Sequence, residues 1–176
     1  MTDPQMLKYV LLSLNPLLKV LLSNSNNCLQ LLYTTKDHFI APEWEILRSN
    51  TRRIVSTHLV SRLLLMASGN IDNMNHRKYK RSPTVINDTF YLVTRMLDVA
   101  ESLIVKGEIS LQPTSKEYLD GILKSEHGLE DLTNRAKAKV AQIEEAVKQN
   151  KVGLNETFDY EFLNEWLLES IRKPTM

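Results

Sequence analysis

Between Ser82-Pro83 and Gly107, the residues Ile86, Phe90, Val93, Leu97, Ala100 and Ile104 recur at intervals of 4, 3, 4, 3 and 4. A half-buried strand repeats every second residue, and a loop carries no period. This spacing lines up only on an α-helix packed closely against other helices. Leu92, Met96, Val99 and Leu103 widen the stripe to nearly half the circumference. A helix that apolar is predicted to lie at the centre of a domain, touched on two sides. Serine before proline opens it and glycine stops it, which places it at 83–106.

The rest of the chain follows the same rule. With 5 Gly and 6 Pro in 176 residues, there are too few turn-formers for an all-β fold. Asp3-Pro4 and Asn15-Pro16 open helical stripes over Leu7, Val10, Leu11 and Leu14 and over Leu17, Leu18, Leu21 and Leu22. Residues 28–35 read as a short helix. Pro42, Glu43 and Glu45 start a helix predicted to run to Ser68, with Gly69-Asn70 as its stop and a loop over 69–83. Thr114 and Glu117 form a capping box. Leu129, Leu132, Ala136, Val140, Ile143 and Val147 make a narrow stripe ending at Gly153, and a last helix spans Thr157 to Arg172. The expected fold is all-α: one domain over 1–176, a bundle of five to seven helices around helix 83–106. Segments 1–22 and 157–176 are its docking helices, with Phe158, Phe162 and Trp166 as protein-partner contacts unless the last helix tucks into the bundle.

Charge is unevenly laid over this pattern. Residues 1–81 hold 11 Lys/Arg against 5 Asp/Glu, and residues 82–176 hold 11 against 16, so the overall +1 conceals +6 and −5. A basic half beside an acidic half points to a charged partner, or to self-association through opposite ends of neighbouring copies. The densest basic run is Arg77, Lys78, Tyr79, Lys80 and Arg81, and Arg48, Arg52 and Arg53 lie on the preceding helix. Cations grip phosphates, and an interleaved tyrosine stacks on a base, so this surface at 48–81 suits nucleic acid or an acidic protein surface. The run is also similar to a short nuclear-localisation signal.

The sequence excludes much chemistry. It has no G-x-G-x-x-G, no G-x-x-x-x-G-K-[ST] and no G-x-S-x-G. None of the four histidines stands three or four residues from another, and Glu-x-x-His does not occur, so neither a metal nor a cofactor is expected. Cys28 stands alone, which rules out an intramolecular disulfide, reads as a small buried hydrophobe and fits a reducing, cytoplasmic compartment. Lys8, Asn15, Pro16 and Lys19 interrupt the leucine-rich start, so no membrane span is expected there. Glu101 is expected to pair with Arg62 or His58, and the remaining acids to be solvated or paired.

Arg53 is followed five residues later by His58 on a stretch read as helical. That spacing in a small all-α chain is similar to the signature of the HEPN-type ribonucleases. The resemblance covers six residues. It implies metal-independent RNA cleavage, with His58 moving a proton and Arg53 steadying the phosphate. The reading that most of the chain supports is a non-enzymatic helical module that assembles with other proteins.

Overall fold

The computed structural model describes residues 42–76, 81–110 and 114–172. The helices read at 1–22 and 28–35, the Cys28 environment and the cluster Arg77, Lys78, Tyr79 and Lys80 lie outside the described residues. Those described form seven helices and no strand: α1 (Pro42–Ser49), α2 (Thr51–Ile54), α3 (Thr57–Met74), α4 (Pro83–Lys106), α5 (Lys116–Leu123), α6 (Leu129–Gln149) and α7 (Tyr160–Arg172). The fold is an all-α helical bundle, and none of these helices is long and apolar enough to cross a membrane.

The central helix is where its heptads place it. The Ser82 hydroxyl accepts from the Val85 N–H, Pro83 occupies the first turn, and Gly107 ends the helix in the left-handed conformation at φ +74°. Phe90, Val93, Leu97, Ala100, Leu103 and Ile104 are buried. α4 packs on α3, α5 and α6, and α3 also packs on α6, so three long helices share one core. The exception is Leu92, which points to solvent at 56% exposure and does not widen the apolar stripe. The α4–α5 turn is tied by the buried Ser102, whose hydroxyl donates to the Glu108 carbonyl (2.9 Å) and accepts from the Ser110 N–H (3.2 Å).

The helix expected over 42–68 is in fact three. Val55 and Ser56 leave helical geometry, both fully buried, and Ser56 becomes the N-cap of α3 by accepting from the Leu59 N–H (3.2 Å). Two more N–H groups of that first turn are satisfied from a distant part of the chain. Thr57 donates to the Asn155 carbonyl (2.9 Å) and His58 to the Glu156 carbonyl (3.1 Å). At its other end α3 passes through Gly69-Asn70 and continues to Met74. Ile71 and Met74 extend the inward face that Leu59 begins, and their burial outweighs the roughly 1 kcal/mol that a glycine costs in a helix. The buried Thr133 of α6 then hydrogen-bonds Asn75, the C-cap of α3 (2.9 Å).

Three smaller boundaries also differ from the sequence reading. Thr114 and Glu117 make no capping box: α5 begins at Lys116 after Ser115, and the Thr114 side chain hydrogen-bonds Asp98 instead. α6 ends at Asn150, not Gly153, because Asn150 takes φ +38° and its amide side chain both donates to the Leu154 carbonyl and accepts from the Leu154 N–H. α7 starts at Tyr160, since Asp159 accepts from the Phe162 N–H (2.9 Å) and so caps it. The last helix tucks into the bundle. Phe158, Phe162 and Trp166 are buried, α7 packs on α1, and the Trp166 indole donates to the Glu43 carbonyl (2.7 Å). Those three aromatics are core residues, which corrects their reading as a contact surface for another chain.

Candidate functional site

The arginines read as one basic surface have separate neighbours. Arg48, half-buried in α1, lies 3.8 Å from Glu45 one turn back. Arg52 is exposed in α2 and reaches toward Gly107. Arg53 donates to the Asp159 carboxylate through Nε (2.9 Å) and Nη2 (2.7 Å), with its guanidinium 4.3 Å above the Phe162 ring. Arg81 donates to the Asn73 side chain (3.1 Å). Arg62 is exposed on α3. Of these arginines, Arg53 is neutralised internally by Asp159.

Arg53 and His58 do not share a helix. Arg53 lies in α2, His58 in the first turn of α3, and the buried Val55-Ser56 corner stands between them. His58 is exposed. A phosphate held by Arg53 would share the guanidinium with the Asp159 carboxylate. Glu101 pairs with neither Arg62 nor His58; its partner is Lys139 of α6, because α6 is the helix that packs on α4.

Two concave features stand out among the described residues. The first is a groove between α3 and α6. Ser61, Leu65, Ser68 and Asp72 form one wall, Lys137, Ala141, Glu144 and Lys148 the other, with Leu64, Ile71, Val140 and Val147 along the floor. Each wall is spaced i, i+4, i+7, i+11, a single helix face about 16 Å long at 1.5 Å per residue. Two adjoining hollows of about 570 and 260 Å³ make up the groove, meeting at Ser68 and Glu144. Leu65 stands in its wall at 73% exposure, and the neighbouring Met66 is also exposed. The break at Val55-Ser56 and the run-on to Met74 set the inward face of α3 on Leu59, Val60, Leu63, Leu64, Ala67 and Ile71, and leave Leu65 outside.

The second is a cleft of about 240 Å³ where α4, α5 and α6 meet, with Thr94, Leu97 and Asp98 on one side, Ser115 and Tyr118 on another, and Arg135, Ala136 and Lys139 on the third. The sequence reading missed it by taking Asp98 for an acid either solvated or paired. Asp98 is 5% exposed, Thr114 hydrogen-bonds it, and its Oδ2 has no hydrogen-bond partner among the described residues. Burial pushes its carboxyl above the usual carboxylate range; Lys139 and Arg95 oppose that shift and Glu101 adds to it. Burial likewise raises the Tyr118 phenol. The one signal in the sequence was position: Asp98 sits beside the seam residue Leu97, on a helix expected to be covered on two sides.

Among the described residues, no group of three or more His, Cys, Asp or Glu side chains could hold a metal ion. Comparisons with protein-family models, with curated proteins and with solved structures found no match to this chain.

Proposed function

We propose that this chain is a non-enzymatic helical interaction module, and that it takes an amphipathic helix of a partner protein into the groove between α3 and α6. The observation that carries the reading is Leu65, a large apolar side chain held out to solvent in the wall of a three-turn groove. Recognition of a helix in a groove uses apolar anchors at i, i+3, i+4 and i+7. Ser61, Ser68 and Ala141 are small and let such a helix approach closely. The walls carry both Asp72 and Glu144 and both Lys137 and Lys148, so the partner helix bears an apolar stripe flanked by charges of both signs. The basic half of the chain contributes steering, through exposed Arg52 and Arg62. Nucleic acid is a second reading, and the basic composition of 48–81 is what favours it. Its mark would be an affinity that drops steeply between low and moderate salt.

The test is a photo-crosslinking residue at position 65 of the full chain, expressed in its own cell. Crosslinks confined to one amphipathic helix of another protein, absent when Ser68→Arg fills the groove, support the proposal. Products joining position 65 to the chain's own residues 7–22, or no product, overturn it.

A further inference from the structure

The cleft between α4, α5 and α6 is independent of the groove, and its chemistry is more particular. We propose that it binds a small organic amine, whose ammonium group donates to Asp98 Oδ2. Oδ2 is a buried acceptor with no donor among the described residues, and it belongs to a side chain that lines the cleft. A buried acceptor left unmet costs free energy in the empty protein, and a ligand donor recovers it.

The two cations of the cleft are already matched. Arg135 Nε donates to Asp131 (3.0 Å) while its guanidinium lies 5.0 Å from the Tyr118 ring, and Lys139 pairs with Glu101. An anionic ligand would compete with both carboxylates and would face Asp98 as well. An ammonium brings the donor that Asp98 Oδ2 lacks, and Leu97, Ala136 and Tyr118 give its carbon skeleton an apolar wall.

The groups facing Asp98 are Arg95 and Glu101 from its own helix, Lys139 from α6 and Thr114 ahead of α5, with Tyr118 and Arg135 at the cleft. The free carboxyl holds its proton to higher pH than usual, so below its midpoint amine binding releases a proton. Affinity therefore rises with pH until Asp98 is ionised in the free protein.

The experiment uses the full chain labelled with ¹³C at the aspartate carboxyls and titrated with n-butylammonium, n-butanol and n-butyrate. The expected result is a saturable shift of the Asp98 resonance with the amine alone. Its titration midpoint should fall in the complex. Calorimetry should show at least a tenfold loss of affinity in Asp98→Asn and in Thr94→Leu, which keeps the carboxylate and fills the cleft. Melting curves establish that each variant is folded, and either one suffices. No saturable shift, an equal response to butanol, binding of butyrate, or unchanged affinity in the folded variants would each overturn the proposal.

Discussion

Arg53 and Asp159 hold each other at two levels. The Asp159 N–H donates to the Arg53 carbonyl (2.8 Å), and the Arg53 guanidinium returns two hydrogen bonds to Asp159 Oδ2. Backbone and side chain together lock the end of α2 to the start of α7. An arginine that the sequence offers to a phosphate is, in the fold, the clasp between segments more than a hundred residues apart.

Asp159→Asn isolates the charge in that clasp, since asparagine still caps the Phe162 N–H. The Phe162 hydrogen bond first, and the Arg53 guanidinium second, hold the Asp159 carboxyl below its usual range. A depressed carboxyl contributes its stability above the unfolded value and loses it as pH falls through the folded one. The expected outcome is a lower melting temperature for Asp159→Asn at neutral pH, with the gap to the parent closing below about pH 4. A gap that stays constant into acid would show that the ion pair contributes nothing.

Asp98 works in the opposite direction. Its folded carboxyl is raised by burial, so ionisation opposes folding once pH exceeds the ordinary carboxylate range. Asp98→Asn should melt higher than the parent at neutral pH, and the difference should vanish as pH is lowered toward about 4. Thermal unfolding across a pH series reads both carboxylates at once, and their two signs distinguish them.

The central helix offers a paired test. Phe90 is buried and Leu92, two residues on, is exposed. Phe90→Ala should destabilise by about 3–5 kcal/mol and Leu92→Ala by less than about 0.5 kcal/mol in guanidinium unfolding. Comparable losses would mean that α4 is rotated from the orientation described.

At the entry of α3, Ser56→Ala removes the hydroxyl that caps Leu59 and should cost about 1 kcal/mol. Trp166→Phe keeps a ring but loses the donor to Glu43, with an expected cost of about 0.5–1.5 kcal/mol. Urea unfolding of each variant measures both.

α4 was legible in the sequence because local signals and burial agree there: Ser82-Pro83, a heptad seam and Gly107 all specify the same helix. The corner at Val55-Ser56 was not, because no proline or glycine marks it. It is held by carbonyls of Asn155 and Glu156, which no local window can see. Gly69 misled for the converse reason: a weak local stop lost to the burial of Ile71 and Met74. The same shift of the α3 face decides the groove, since Leu65 turns outward only once the helix has its true start. Asp98 was hidden by its type, as an acid beside a seam reads as solvated or paired until the helix covering it is placed.

The Asn155 and Glu156 carbonyls also give the fold a schedule. During synthesis, the first turn of α3 leaves the ribosome about a hundred residues before the segment that satisfies its N–H groups. Until then the Thr57 and His58 N–H groups lack these partners, and the α2–α3 corner has only the local Ser56 cap to set it. Closure of such distant contacts is the slow part of folding. A nascent chain stalled before residue 155 would hold its long helices without the latch at this end, leaving Val55 and Ile54 in reach of a chaperone.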